Sequence, residues 1–302
     1  MRHIARILIF LGLTGLGMPA MAAEPERRIA VISAFEPEWI ALQKEMTGTS
    51  EQVINGNRFL LGDLAGKKVV LFLSGVSMTN AAMTTQLALD RFAISSIVFS
   101  GVAGGIDPKL DVGDVVVADR WAEYLESAFG RKTPTGFVPP AGDDGQADLP
   151  AYGMIFPRTI GLRRAGSDAY ERRTWFDSDP AMLAVARAMP PVTLKRCTEE
   201  KKCLKAQPRV IVGGNGISGP VYMDNAEYRD YAYRTFGAQV LDMESAAVAH
   251  VAYANAVPFI AFRSLSDLAG GDPGDNQGPT FYRLASDNSA LVVTAFLKAL
   301  PE

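Results

Sequence analysis

The feature that most constrains the fold is an alternation of short, nearly continuous apolar runs with longer stretches of helical periodicity. The apolar runs are rich in Val, Ile and Phe, as is typical of strands covered on both faces. They are RRIAVISAF (27–35), KKVVLFLSG (67–75), SSIVFSGVAGG (95–105), DVVVAD (114–119) and PFIAFRS (258–264). The helical stretches are EWIALQKEM (38–46), SMTNAAMTTQLALDRF (77–92), NAEYRDYAYRTFG (225–237), ESAAVAHVAYANA (244–256) and SDNSALVVTAFLKAL (286–300). This alternation predicts an α/β fold around a largely parallel, twisted sheet.

Residues 121–208 interrupt the alternation with a section rich in Pro, Gly and charged side chains, including GRKTPTGFVPPAGDDGQADLP (130–150). The section also holds an amphipathic helix candidate, PAMLAVARAM (180–189). Long excursions of this kind often form active-site or interface elements. No repeat or low-complexity linker divides the chain, so we expect one domain over 23–302, elaborated at about 121–208.

The first 22 residues have the pattern of a secretory signal peptide. Basic Arg2 and Arg6 precede an apolar run from Ile7 to Leu16, and the segment closes with Ala20-Met21-Ala22. The alternative is an uncleaved anchor, but the apolar run is short for a membrane span and is broken by glycines. We therefore expect cleavage after Ala22, no membrane association afterwards, and a periplasmic or secreted protein.

Composition excludes several classes of function. Loss of two arginines and no acid with the signal changes the formal charge from -3 to -5, which does not suit a nucleic-acid binder. The two cysteines, Cys197 and Cys203, lie close together without a nearby His, so they favour a short-loop disulfide in an exported chain over a zinc site.

Histidine gives the strongest exclusion, because the chain contains only His3 and His250 and the first leaves with the signal. A site with several histidine ligands to a metal is therefore impossible, and a Ser-His-Asp triad would have to use His250. His250 lies in the small-residue stretch AAVAHVAYA, where packing between helices is its expected role. Catalysis, if the chain performs any, must depend mainly on carboxylates, hydroxyls and backbone groups, and we expect neither a metal nor a cofactor.

The acidic residues of interest follow predicted strands. In α/β folds, ligands bind at the carboxyl ends of strands, and there we find Glu36 and Glu38, the segment SGVAGG (100–105) and Asp267. Asp242 and Glu244 open a predicted helix, where acids are also favoured by capping and by the helix dipole. Taken singly, each acid and each glycine also fits a structural role.

Four motifs in order nevertheless resemble the nucleoside phosphorylase/hydrolase family, and most of all the bacterial 5'-methylthioadenosine/S-adenosylhomocysteine nucleosidases. The motifs are IAVISAFEPEW (29–39), SGVAGGIDPKLDVGDVVVAD (100–119), GISGPVYM (216–223) and VLDMESAAVAHVAYANAVPFIAFRSLSD (240–267). The resemblance implies a three-layer α/β sandwich around a twisted mixed β-sheet. It also implies that the chain hydrolyses the N-glycosidic bond of a purine nucleoside.

The resemblance assigns roles to individual residues. Asp267 matches the acid that protonates N7 of the purine, and Glu38 matches the glutamate that positions the attacking water. The implied substrate-binding residues are Glu244 and Met243 at the ribose, Tyr222 and Met223 at the base, and Ala103 and Gly104 beneath the nucleoside. A raised pKa would keep Asp267 protonated, whereas Glu244 is expected to stay ionised. Asp242 is then expected to be a helix-start residue.

Two alternatives remain open. A phosphorylase would need a cationic phosphate site, but the first loop, AFEPEW (34–39), is acidic and no Arg flanks GVAGG. Arg263 could simply support the loop of Asp267, so water is the favoured nucleophile. A non-catalytic nucleoside-binding protein is the second alternative, although a binder has no need of a water-positioning acid.

This chain also departs from its relatives. Val102 stands where close relatives often carry a small polar residue, and the section at 121–208 is longer than in compact members. An exported relative would be expected to salvage nucleosides that arrive from outside the cell. Relatives are usually dimers in which a neighbouring chain completes the 5' pocket, so a homodimer is expected.

Overall fold

The computed structural model describes residues 26–142, 145–272 and 274–301. The predicted signal peptide at 1–22 lies outside the described residues. Among the residues that are described, no helix is both long enough and apolar enough to span a bilayer.

The helices of this part of the chain agree closely with the helical stretches of the sequence. They are α1 (Glu36–Glu45), α2 (Met78–Arg91), α3 (Pro180–Ala188), α4 (Ala226–Phe236), α5 (Ser245–Ala254) and α6 (Gly278–Ala299). Helix α4 ends at Gly237, which adopts the left-handed conformation expected of a C-terminal cap. Helix α6 begins eight residues before the predicted stretch at 286–300.

The strands are more numerous than the apolar runs predict. They are β1 (Arg28–Ser33), β2 (Thr47–Ile54), β3 (Asn57–Leu64), β4 (Lys67–Leu73), β5 (Ile94–Gly105), β6 (Val115–Val117), β7 (Arg120–Glu123), β8 (Ser127–Phe129), β9 (Arg131–Thr133), β10 (Gly136–Val138), β11 (Ile155–Pro157), β12 (Ile160–Arg163), β13 (Tyr170–Arg173), β14 (Phe176–Asp177), β15 (Val210–Val212), β16 (Asn215–Ser218), β17 (Ala238–Asp242) and β18 (Phe259–Asp267).

Twelve of these strands form one mixed sheet, in agreement with the fold class implied by the resemblance. Its main path runs β14-β7-β16-β17-β5-β1-β4-β3-β2, and β18 lies parallel to β5. The pairs β1/β4 and β1/β5 are parallel, whereas β2/β3, β3/β4 and β17/β5 are antiparallel. The expectation of a largely parallel sheet is therefore wrong at the β2–β3 edge and where β17 meets β5.

Helices cover both faces of the sheet and make the fold a three-layer sandwich. Alternate residues of β1 enter opposite cores, with Ala30 and Ile32 on one face and Val31 on the other. The first core includes the alanine-rich faces of α2 and α5, and the second includes apolar residues of α1, α3 and α6. Burial on both faces explains why the central strands read as continuous apolar runs.

The section at 121–208 starts in β7 and contains three small two-stranded sheets, formed by β8 with β11, β9 with β10 and β12 with β13. Further along, a disulfide joins Cys197 to Cys203. This short bridge closes an exposed turn, and Asn288 of α6 holds the adjoining chain by hydrogen bonds to the backbone of Lys195.

Candidate active site

A cavity of about 270 Å³ opens at the carboxyl ends of the central strands. Strand pairing explains why distant motifs meet there, because Gly104 at the end of β5 pairs with Asp267 of β18 on one side and Leu241 of β17 on the other. All eight residues assigned to catalysis and substrate binding line this cavity: Glu38, Ala103, Gly104, Tyr222, Met223, Met243, Glu244 and Asp267.

Glu38 lies in the first turn of α1 and is 1% exposed. One carboxylate oxygen accepts from the amides of Ala34 at 2.6 Å and Phe35 at 3.3 Å, and the other accepts from the Val102 amide at 2.7 Å. Burial raises the pKa of Glu38, and Arg263 and these amides oppose that rise. Backbone groups from two segments thus fix the carboxylate at one wall of the cavity.

Asp242 and Glu244 differ in position although they are two residues apart. The structure corrects the expectation that both open the helix: Asp242 is the last residue of β17, and α5 begins at Ser245. The Asp242 carboxylate accepts from the Glu244 amide at 3.1 Å, from the Ser245 amide at 3.0 Å and from the Ser218 hydroxyl. It therefore caps the start of α5 from the end of the strand, and this holds the intervening turn in place.

Glu244 is 5% exposed, and its carboxylate accepts from the Ser77 amide at 2.8 Å. Burial raises the pKa of Glu244 to about 8, with Arg263 opposing the shift and Asp242 adding to it. This differs from the expectation that Glu244 stays ionised, because a pKa of about 8 favours the protonated carboxyl near neutral pH. The reason is loss of water around the carboxylate, which the sequence alone does not reveal.

Arg263 has a larger role in the site than the sequence predicts. Its side chain is fully buried in β18, with the guanidinium 3.9 Å from the Phe99 ring. The guanidinium nitrogens lie 2.7 Å from Asp242, 3.7 Å from Glu244 and 3.9 Å from Glu38. One cation therefore lies close to three carboxylates from different elements. Its role is larger than the support of the Asp267 loop that was expected from the sequence.

Asp267 ends β18 with 4% of its surface exposed. One oxygen accepts from the Ala269 amide at 2.9 Å and the other from the Ser266 hydroxyl at 2.8 Å. Burial raises the pKa of Asp267, and these two hydrogen bonds only partly counter the rise. Unlike the other three acids, Asp267 has no ion pair with Arg263, an arrangement that favours a protonated carboxyl.

Glycines in β5 let the backbone approach these groups closely. A Cβ at Gly101 would lie 2.0 Å from the Arg263 guanidinium and 2.5 Å from a Glu38 oxygen. A Cβ at Gly104 would lie 3.1 Å from an Asp267 oxygen. The glycines of SGVAGG therefore make room for the charged groups, and this resolves the ambiguity that glycines alone leave in a sequence.

The mouth of the cavity is aromatic. Met223 is buried, whereas the Tyr222 side chain is 55% exposed and its hydroxyl lies 2.8 Å from that of Tyr282. Tyr282 comes from α6 and meets Phe35 edge to face, with ring centroids 6.3 Å apart. Sequence reasoning missed Tyr282 because the predicted helix started at Ser286, and the apolar helical pattern gave no sign of it.

The charged side chains that line the cavity are all acidic. Its lining, which lies wholly within the described residues, includes Glu38, Asp242, Glu244 and Asp267 but neither Lys nor Arg. Nor do the described residues contain a group of three or more His, Cys, Asp or Glu arranged to hold a metal ion. Such a site can exchange protons and stabilise positive charge on a ligand, but it offers little to an anion.

His250 lies in α5, outside this lining. Its ring stacks on Phe176 at 4.5 Å, and Nδ1 lies 3.0 Å from a Glu123 oxygen. The position agrees with the packing role expected from the surrounding small residues.

Comparison with known proteins gives a consistent result. Residues 28–298 match the phosphorylase superfamily. The chain is 30% identical over 272 residues to a 5'-methylthioadenosine/S-adenosylhomocysteine nucleosidase of Marinomonas sp. (strain MWYL1), covering 89% of this chain and 98% of that relative. Among solved structures, an S-adenosylhomocysteine nucleosidase from Streptococcus pyogenes in complex with 5-methylthiotubericidin is 26% identical, with a TM-score of 0.68 over 93% of this chain and all of that one. A nucleosidase from S. pneumoniae with a transition-state inhibitor is 25% identical, with a TM-score of 0.67 over 91% of this chain and all of its own.

Proposed function

The chain belongs to the phosphorylase superfamily, and from that premise we propose that it hydrolyses the N-glycosidic bond of purine nucleosides, with 5'-methylthioadenosine and S-adenosylhomocysteine as substrates. The products are adenine and the corresponding ribose derivative. The observation that carries the proposal is the convergence of Asp267, Glu244 and Glu38 on one cavity in three different environments. The nucleosidase relatives, matched over nearly their whole length, support the same reaction.

Cleavage starts at the base. A protonated Asp267 donates its proton to N7 of the purine, the electron pair of the glycosidic bond moves into the base, and the sugar becomes oxocarbenium-like. Burial supports this role because it raises the pKa of Asp267. General acid catalysis of this kind typically contributes about 10²- to 10⁴-fold in rate.

The sugar is held and attacked from the carboxylate side of the cavity. In its ionised form Glu244 accepts from the ribose hydroxyls, and its negative charge then stabilises the cationic sugar more strongly than the ground state. Glu38, fixed by three backbone amides, orients a water molecule and takes its proton as oxygen bonds to the anomeric carbon. Met243 packs beside the sugar, Tyr222 and Met223 hold the base, and Ala103 and Gly104 lie beneath the nucleoside.

Water is the proposed nucleophile because phosphate has no cationic partner here. The lining includes no Lys or Arg within the described chain, and Arg263 already faces three carboxylates. A phosphate dianion would therefore meet acidic side chains and no free cation, which costs free energy in a buried site.

The first test is chromatographic detection of free base released from 5'-methylthioadenosine, S-adenosylhomocysteine, adenosine and inosine, with and without phosphate. We expect adenine in phosphate-free buffer at a rate that phosphate leaves unchanged. Release only with phosphate, yielding a sugar 1-phosphate, would assign the chain to phosphorolysis. Tight binding by calorimetry without any product would assign it to nucleoside binding.

We also propose that the protein is exported and cleaved after Ala22, because the first residues have the pattern of a signal peptide and the Cys197–Cys203 disulfide suits an oxidising compartment. Fractionation of an expressing bacterium and mass spectrometry of the mature N-terminus test this, with Ala23 as the expected first residue. A variant lacking residues 2–22 serves as the cytoplasmic control. Retention of the intact N-terminus in the membrane fraction would contradict cleavage.

A homodimer is the proposed assembly. Several large apolar side chains are exposed. Val76 and Tyr222 line the cavity, Met83 lies on α2, and Phe129 lies on the 121–208 section. Clusters of exposed apolar side chains are typical of protein–protein contacts. Light scattering that gives twice the mass of the mature chain would support the proposal, and a monomeric mass at assay concentration would overturn it.

A further inference from the structure

The Cys197–Cys203 disulfide closes a short, largely exposed loop that is anchored to the interior by one side chain. Leu204, which follows the second cysteine, is the one buried residue between positions 195 and 207. Its amide donates to the Arg196 carbonyl at 2.9 Å, so the two arms of the loop are paired beside the bridge. The disulfide therefore fixes the position from which the Leu204 side chain enters the interior.

Leu204 belongs to a small apolar cluster. The buried members of this cluster are Val112, Leu204, Phe281 and Leu284. Leu268, which directly follows Asp267 in the chain, packs against them. The side chain that the disulfide loop buries thus reaches the segment that carries the proposed acid.

A second connection between the loop and the site runs through the backbone of Gly113. A Cβ at Gly113 would overlap a methyl carbon of Leu204, so the Leu204 side chain rests directly on this glycine. The Gly113 amide donates to the Leu265 carbonyl at 2.7 Å, and the Leu265 amide donates to the Asp114 carbonyl at 2.8 Å. Because Leu265 lies in β18 two residues before Asp267, Leu204 supports the end of this strand from both sides of the acid.

We propose that Leu204, held in place by the Cys197–Cys203 disulfide, is a positioning residue for Asp267, and that turnover therefore depends on the oxidation state of this disulfide. This inference rests on the proposed nucleosidase function. Leu204 is not part of the cavity lining, so it acts by keeping the end of β18 packed. Without that packing the Asp267 carboxyl has several orientations, of which only one suits proton transfer. A chain kept in a reducing compartment would then be less active than the exported one.

Reduction of the disulfide tests the proposal without any substitution. The chain contains only two cysteines, so dithiothreitol acts on this bond alone: it transfers two electrons and two protons to the cysteine sulfurs and becomes a cyclic disulfide. We expect kcat for 5'-methylthioadenosine to fall about 3- to 10-fold on reduction, with KM within about twofold of its original value, and to recover on reoxidation. C197S/C203S should have the lower kcat from the start and should not respond to dithiothreitol.

A double-mutant cycle tests whether Leu204 acts through Asp267. We expect L204A to lower kcat about tenfold, whereas L204M, which keeps an apolar side chain of similar volume, should retain most of the activity. In the D267N background, L204A should lower the residual single-turnover rate by less than about twofold, because no acid is left to position. E199Q is the control, since Glu199 is exposed in the same loop. Its kinetic constants should equal those of the wild type.

Hydrogen exchange measured by mass spectrometry separates this proposal from the proposed function. On reduction, and in L204A, the amides of residues 265–271 should exchange about tenfold faster, while those of β1 stay unchanged. If wild type releases no base from any nucleoside, the nucleosidase assignment fails, but faster exchange at 265–271 still supports the positioning of Asp267 by the loop. If reduction changes neither kcat nor exchange, or if L204A slows D267N as much as it slows wild type, Leu204 does not position Asp267.

Discussion

At the residue scale, Asp267 is the group on which the proposed reaction depends most directly. Asn at this position keeps the shape of the side chain and cannot donate the proton. We expect D267N to lose about 10²- to 10⁴-fold in kcat, the range typical of general acid catalysis, while its dissociation constant for 5'-methylthioadenosine stays close to that of wild type.

Single-turnover adenine release and calorimetry on the same preparation measure the two quantities for D267N. D275N is the matched control, because Asp275 is exposed and lies in the loop that follows. Near-normal turnover by D267N would show that another group protonates the base.

Asp242 offers a second prediction, which concerns pH. The groups facing Glu244 are Arg263 of β18, Asp242 of β17, Glu38 of α1 and the Ser77 amide before α2. Because the Asp242 charge raises the pKa of Glu244, the neutral side chain of D242N should lower that pKa. If ionised Glu244 binds the ribose, the acid limb of the kcat/KM profile rises through a pKa of about 8 in wild type and lies at lower pH in D242N.

The midpoint of that limb is the informative measurement, since a merely structural defect changes the amplitude of the profile and leaves its midpoint in place. D119N provides a comparison, because Asp119 pairs with Arg187 on the surface. An unshifted midpoint in D242N would show that the charge of Asp242 does not act on Glu244.

Residue identities were predictable from the sequence to the extent that each stood in a motif. The four motifs locate Asp267, Glu38, Glu244 and Tyr222, and the structure brings them into one cavity. Two features of the site could be recognised only from the structure. The first is the burial that raises the pKa of Glu244, and the second is the position of Arg263 among three carboxylates, because a guanidinium in a strand looks the same in a sequence whether it supports a loop or balances a site.

At the scale of elements, strand β5 sets the spacing between the backbone and the charged cluster. An added methyl in G101A would overlap Arg263 and Glu38, both fully buried. We expect a loss of about 1–3 kcal/mol in the free energy of unfolding, as for other overpacked interiors, together with a fall in kcat of about 100-fold or more because Glu38 is displaced.

Urea denaturation and initial rates test G101A against S96A, a substitution at the opposite end of the same strand. Comparable stability and activity in both variants would mean that the Arg263 side chain can move aside without cost.

The sequence predicted elements well where they have two apolar faces and poorly where they have none. Strand β2 is exposed along almost its whole length, so TGTSEQVI carries no apolar alternation that would reveal a strand. Helix α6 was predicted from 286 although Phe281 and Leu284 of its first two turns are buried, because Gly278 and Pro279 open the helix. That omission removed Tyr282 from the expected site. In both cases tertiary contacts, not local pattern, decide the structure.

At the scale of the whole molecule, the acidic site lowers the stability of the protein as pH rises. The pKa of Glu244 is about 8 in the folded chain and 4.5 when unperturbed, so the folded state binds this proton more tightly. The resulting stabilisation is complete below about pH 4.5 and is lost as pH rises through 8. We expect the Tm of wild type to fall between pH 6 and pH 9 by several degrees more than that of E244Q, whose amide does not ionise.

Calorimetry across this range checks the difference, and E45Q is the control because Glu45 is exposed at the end of α1. Parallel Tm curves for wild type and E244Q would show that folding does not change the affinity of Glu244 for its proton.

The Arg263 guanidinium, which is shared by three carboxylates, also restricts how such a site can change during evolution. Replacing water by phosphate as the nucleophile calls for fewer acids and a free cation, yet replacement of Arg263 leaves buried carboxylates without their counterion, a loss of about 3–5 kcal/mol. Substitutions here are therefore expected to be strongly epistatic, with each tolerated only after another. Residues at the rim of this pocket could be substituted one at a time during evolution, whereas the use of a new nucleophile would require several substitutions together.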